Sequence, residues 1–244
     1  MNGTPVKLQR MLTEAGVASR RHADGMIAVG RVTVDGKVVT VPMERIPADA
    51  DVRLDGRPLP RKPETVAFLC DKPRGVLCTA HDPEGRETIG EWAVRHGAPR
   101  GLRLYTVGRL DFLSEGLVIL TNDGALAEKA GHPRYGIRKT YRVLLPRPLS
   151  AAELARLVRG IPDGGETLRA LSAENEYEAE KGFVAKLVLG EGRNREIRRM
   201  MDALGLKVRA LRRVAIGPLG ENLLRGKPLR RLSPADIARL LPHG

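Results

Sequence analysis

Asp111 is the residue of this chain best placed to do chemistry. It stands in Gly108-Arg109-Leu110-Asp111-Phe112-Leu113-Ser114-Glu115-Gly116, directly before the apolar run Leu117-Val118-Ile119-Leu120 and the turn residues Thr121-Asn122-Asp123-Gly124. A short apolar run between turn signals predicts a core strand. A carboxylate at the mouth of such a strand loses hydration at considerable cost unless a cation compensates. The residues alone leave two roles open for Asp111, a turn or cap aspartate and a catalytic group.

Three other segments carry candidate chemistry. Lys139-Thr140-Tyr141-Arg142-Val143-Leu144-Leu145 alternates as a strand does, which puts Tyr141 on the face of Val143 and opposite Arg142; in isolation it reads as a core tyrosine. Glu191-Gly192-Arg193-Asn194-Arg195-Glu196-Ile197-Arg198-Arg199-Met200-Met201 opens a helix that ends near Leu204-Gly205. Ile197, Met200, Met201 and Leu204 form its apolar stripe, Arg198 borders it, and Arg195 and Arg199 fall on other faces. In Asp71-Lys72-Pro73-Arg74-Gly75, Lys72 is a candidate phosphate contact, while Pro73 and Gly75 are turn residues.

Other chemistries find no motif. Cys70 and Cys78 are the only cysteines and form no Cys-x-x-Cys pair. The histidines at 22, 81, 96, 132 and 243 are never three or four residues apart, so no metal site is expected. There is no glycine-rich nucleotide or dinucleotide loop. The expectation is a reaction run on side chains alone, with no cofactor and no nucleotide.

The charge points to a polyanion. Forty-two Lys and Arg against 29 Asp and Glu give a formal net charge of +13, which makes nucleic acid the first partner to expect. The excess is concentrated late: residues 181–244 hold 15 basic and 5 acidic side chains. Residues 151–180 reverse the sign, and Glu174–Glu180 reads as a solvated loop or edge turned away from nucleic acid. No stretch approaches the ~20 apolar residues of a membrane span, and the first twenty residues lack the apolar core of a signal peptide. A cytoplasmic monomer that does not bind membranes is expected.

The elements that must position these residues fall into two groups. Leu8, Met11, Leu12 and Ala15 have helical spacing with Gly16 as a stop; Ser19 caps a second helix, Arg20–Val29, before Gly30. Val32–Val34 and Lys37–Val39 flank Asp35-Gly36 as a hairpin, and Asp51–Leu54 is a further strand ending at Asp55-Gly56. Residues 57–64 hold three prolines and read as extended, semi-stiff chain. The second group starts near Thr65 with a strand to Cys70. Strands Leu102–Val107 and Leu117–Thr121 follow, then a helix Gly124–Ala130 capped by Asn122 or Asp123. A helix boxed by Ser150 and Glu153 runs to Arg159, and Gly182–Leu189 is a strand.

These motifs, in this order, resemble the small bacterial family of ribosomal RNA pseudouridine synthases that carry an N-terminal alpha-L RNA-binding domain. Gly108-Arg109-Leu110-Asp111 resembles the family's catalytic motif, with Ser114 where threonine is commoner. Lys72-Pro73-Arg74-Gly75 resembles its first motif, and Glu191–Met201 its third, with Glu196 where glutamine is frequent. Lys7-Leu8-Gln9 through Ser19-Arg20-Arg21 to Gly30-Arg31-Val32 resembles the alpha-L domain. The resemblance is closer to the large-subunit-modifying branch.

The resemblance implies an α+β protein. An alpha-L domain of two helices and small strands spans 1–60, with a linker at 61–64. A catalytic domain over 65–244 is built on a mixed, mainly antiparallel sheet flanked by helices. It further implies that Asp111 is the nucleophile, that Tyr141 stacks on the target uracil and helps remove its proton, and that Arg198 pairs with Asp111. Arg109, Leu110, Ile197, Lys72, Arg193, Arg195 and Arg199 are the candidate substrate contacts, and Lys7, Arg10, Arg20, Arg21 and Arg31 the RNA contacts of the first domain. The implied reaction is isomerisation of a uridine in ribosomal RNA, 23S in preference to 16S or to transfer RNA. A ribosome-assembly protein that binds RNA without catalysis is the rival, and it has no need of Asp111, Tyr141 and Arg198 together.

Overall fold

Residues 4–241 are described in a computed structural model, whose contacts divide the chain into a unit ending at Thr65 and a unit beginning at Val66. His243 lies outside the described residues.

The first unit is β1 (Val6–Lys7), α1 (Leu8–Glu14), α2 (Arg20–Ala28), β2 (Val32–Val34), β3 (Lys37–Val39), β4 (Arg45–Ile46), β5 (Val52–Leu54) and β6 (Arg57–Pro58). The Ser19 side chain accepts the His22 backbone N–H at the start of α2. Asp35 and Gly36 both take positive φ (48° and 79°), which a two-residue hairpin with the strands' own twist requires. Leu8, Leu12, Ala23, Ile27 and Val32 are its fully buried centre. One expectation is corrected. The proline-rich stretch does not run free of the unit: Arg57–Pro58 pairs with Arg53–Leu54, Leu59 donates its N–H to Val52, and Leu59 packs on this core. Pro58 is tolerated because β6 ends the sheet β3-β2-β5-β6, where a missing N–H breaks no ladder.

The second unit contains, in order, β7 (Ala67–Lys72), α3 (Ile89–Arg95), β8 (Tyr105–Val107), β9 (Glu115–Thr121), α4 (Gly124–Gly131), β10 (Lys139–Leu145), α5 (Ala151–Arg159), β11 (Ile161–Asp163) and β12 (Glu166–Leu168). β13 (Ser172–Ala179), β14 (Gly182–Leu189), α6 (Glu196–Asp202), β15 (Ala210–Ile216), β16 (Leu219–Gly220), β17 (Leu229–Arg231) and α7 (Pro234–Leu240) complete it. The main sheet runs β13-β14-β10-β15-β9-β7-β17, with β8 joined to β9 and β16 to β15. Only β15 with β9 is a parallel pair among the described strands; the α+β, mainly antiparallel architecture is as the sequence implies. β10 is central and alternates strictly, burying Lys139, Tyr141, Val143 and Leu145. The acidic stretch is the edge strand β13, in which most residues are exposed. Among the described residues no helix is long and apolar enough to cross a membrane.

Candidate active site

Asp111 lies in the loop between β8 and β9, where its backbone carbonyl accepts the Ser114 N–H at 3.0 Å and closes a turn. Its side chain keeps about a third of its surface exposed (35%). β9 then dives into the core, so the carboxylate stands at the threshold of the buried strand, as the sequence suggests. Tyr141, on the neighbouring stretch of β10, is 6% exposed. Asp111, Tyr141, Arg109, Leu110, Ile197, Arg193 and Arg195 line one small cavity of about 60 Å³.

Arg198 sits under this cavity with its side chain 11% exposed. Its Nε is 3.9 Å from Asp111 Oδ2, and its Nη2 donates weakly to Ser114 Oγ at 3.4 Å. That Nε is buried and has no hydrogen-bond partner. Burial and then the neighbouring Arg195 pull the Arg198 pKa down, and Asp111 opposes them. A guanidinium stays charged even so, so Asp111 faces a largely desolvated cation.

Lys72 is placed otherwise than expected. It is fully buried, with Nζ donating to the carbonyls of Pro73 (2.9 Å) and Ser114 (2.7 Å), so it cannot reach a phosphate. Burial lowers its pKa; Cys78, Asp111 and Glu115 act in the opposite direction. The reason is tertiary: Lys72 ends β7, and its side chain reaches the Asp111 loop at the Ser114 carbonyl. Arg199 is likewise spoken for, by Asp163 and Glu166 of the β11–β12 hairpin. Arg193 lines the cavity but is held by Glu166 (2.7 Å) and Glu191 (3.0 Å). Arg109 is exposed at the rim. Arg195 begins α6 with a left-handed backbone (φ 48°). Glu196, buried beside it, accepts the Arg193 N–H at 3.0 Å, and burial raises its pKa.

Sequence reasoning missed Arg213. This side chain is 2% exposed on β15, opposite Tyr141 in the strand register. Its Nε donates to the Leu117 carbonyl at 2.6 Å, and its Nη1 lies 3.4 Å from the Arg109 carbonyl and 3.5 Å from the Tyr141 hydroxyl. The available signal was phase: in Leu211-Arg212-Arg213, alternation puts Arg213 on the apolar side with Leu211. Gly116 is the second omission. Its φ of 102° and the passing backbone of Arg213 leave no room for a Cβ.

In the first unit, Arg20 and Arg21 are exposed in the opening turn of α2, where free helix amides add to their pull on phosphate. Arg10 is bonded to Glu14 and Arg31 to Asp55, so both have carboxylate partners at home. Lys7 is half-buried in β1.

Known proteins match both units. Residues 66–203 match the family described as RNA pseudouridylate synthase, and residues 6–52 match the S4 domain. The chain is 38% identical over 237 residues to the ribosomal large subunit pseudouridine synthase B of Bacillus subtilis (strain 168), covering 96% of this chain and 95% of that one. The protein of the same name from Yersinia pestis is 37% identical over 241 residues, 95% of this chain and 73% of its own. A solved structure described as pseudouridylate synthase superposes with a TM-score of 0.66 at 28% identity, covering 97% of this chain and 100% of that chain. The chain belongs to the RNA pseudouridylate synthase family.

Proposed function

We propose that this protein converts one specific uridine of 23S ribosomal RNA to pseudouridine, with Asp111 as the nucleophile. The observation that carries the reading is the arrangement of Asp111 and Tyr141 on one cavity, above an Arg198 whose Nε is buried without a hydrogen-bond partner. Family membership supplies the reaction class, and the large-subunit relatives support the choice of RNA.

The bond from ribose C1′ to uracil N1 breaks, the base turns, C5 bonds to C1′, and the proton on C5 leaves while N1 takes one up, so the formula is unchanged. Asp111, facing the Arg198 guanidinium, stabilises or captures the ribose carbon as N1 departs. Tyr141 offers a ring face to the extruded uracil and a hydroxyl for the C5 proton. Leu110 and Ile197 supply the apolar walls. Arg109 and Arg195 at the rim hold neighbouring phosphates, and Arg20 and Arg21 of the first unit also grip RNA; such contacts position more than they specify.

The test is carbodiimide-blocked primer extension on ribosomes from cells with the protein, without it, and with Asp111→Asn. One 23S stop present only with the intact protein is expected. Tritium release from C5-labelled rRNA should fall by about four orders of magnitude in Asp111→Asn. A variant retaining more than about a hundredth of the rate removes Asp111 from the nucleophile's role, and a stop in 16S or transfer RNA replaces the substrate.

A further inference from the structure

Phe112 and Leu113 follow Asp111, and their exposure has no local cause. They occupy the two corners of the turn closed by the Asp111 carbonyl and the Ser114 N–H. Corner positions normally take Pro, Gly, Asn, Asp or Ser. Here both are large and apolar, Phe112 40% and Leu113 48% exposed, in a chain with only three phenylalanines, of which Phe68 is 5% exposed. The tip is not a loose one. The Phe112 carbonyl accepts the Gly75 N–H at 2.9 Å, which ties it to the turn carrying Arg74. Arg74, next to Gly75 in that turn, and Arg109, three residues before Phe112 in the chain, are both exposed.

We propose that the Phe112–Leu113 tip is an apolar wedge that stacks on the RNA bases flanking the extruded nucleotide. This rests on the uridine-isomerase reading above. When Asp111 meets a ribose whose base has left its stack, the next residue along the chain faces the gap. Extrusion costs a few kcal/mol, about what filling the gap with a flat apolar group returns. An exposed aromatic ring with exposed arginines close to it in the chain is also the combination that holds single-stranded nucleic acid, by stacking on bases whose phosphates are neutralised. The tip thus supplies a salt-independent part of RNA affinity, separate from the arginines.

The experiment uses the full chain and a 23S rRNA transcript tritiated at uracil C5, read by filter binding at several salt concentrations and by tritium release. Phe112→Ala is expected to weaken binding about tenfold at every salt concentration, leaving the slope of log affinity against log salt unchanged. Phe112→Tyr should bind within about twofold of the unsubstituted chain. Arg109→Ala, as a contrast, should make the slope shallower by about 0.7. Binding by Phe112→Ala within about twofold of the unsubstituted chain overturns the wedge. A chain that binds but releases no tritium overturns the isomerase reading alone, because the affinity ratio still judges the wedge. A chain that does not bind the transcript overturns both.

Discussion

Arg198 and Arg199 are consecutive residues of α6 with opposite circumstances. Arg199 is partly exposed and saturated, bonded to both Asp163 and Glu166. Arg198 is buried and starved: one N–H has no partner, another makes a 3.4 Å bond, and its carboxylate stays 3.9 Å away. Buried donors are seldom left unpaired, since each costs about 1–3 kcal/mol. Partners therefore separate an arginine that ties two elements together from one left short of contacts beside Asp111. Side-chain type and position along the helix do not make that distinction.

Replacing Arg198 should break the contrast most visibly. Arg198→Lys keeps the charge but loses the planar fork that spans Ser114 and Asp111. Tritium release should fall about a hundredfold while RNA affinity stays within about twofold; full activity would mean that the starved arginine is not reserved for the reaction. Arg199→Ala should do the reverse, costing about 1 kcal/mol of stability, as partly exposed ion pairs do, and leaving turnover within about threefold. A hundredfold loss of turnover there would make saturation a poor guide to role.

The smallest effect concerns Glu196, the buried neighbour of both. Burial raises its pKa, so the folded chain binds a proton there more readily than the unfolded chain, and the carboxylate's contribution to stability falls as pH rises above its ordinary range. Glu196→Gln keeps an acceptor for the Arg193 N–H and removes the buried charge. Its thermal midpoint should exceed that of the unsubstituted chain by about 1–3 °C at pH 7, and the gain should vanish below about pH 4.5. An equal gain at pH 4 and pH 7 would locate the effect in packing instead of charge.

The sequence revealed elements wherever local rules decide them. Ser19, Asp123 and the Ser150–Glu153 box cap their helices as read, and β10 and β14 have the bounds that alternation gave. The chain beyond Gly205 was read only as charge, yet it supplies β15, the strand between β10 and β9. Its five apolar residues, interrupted by Arg212 and Arg213, look like a surface strand until the partners on both sides are known. Lys72 failed for a related reason. A lysine beside a Pro-x-Gly turn looks solvated in one dimension, and only the fold shows Ser114, 42 positions away, taking its ammonium. Asp111 was legible because its motif is contiguous. Arg213 was not, because what makes it part of the site is a crossing of strands.

That crossing has a consequence for when the protein can work. β9 and β15 run side by side in the same direction, pressed together where Gly116 meets the Arg213 backbone, although 96 residues of chain separate the two. A ribosome adding about 5–20 residues per second needs several seconds to make that stretch. Until β15 emerges, β9 is held by β7 and β8, but its first residues, Glu115 and Gly116, lack their parallel partner and the Asp111 loop lacks Arg213. The surroundings of Asp111 are thus completed only by β15, one of the last strands to be made. Nascent chains stalled before residue 210 should therefore exchange the Glu115 and Gly116 amide hydrogens faster than chains released after residue 216, while the rest of β9 stays protected by β7 and β8; equal protection at both lengths would show that the Asp111 loop is set before β15 arrives.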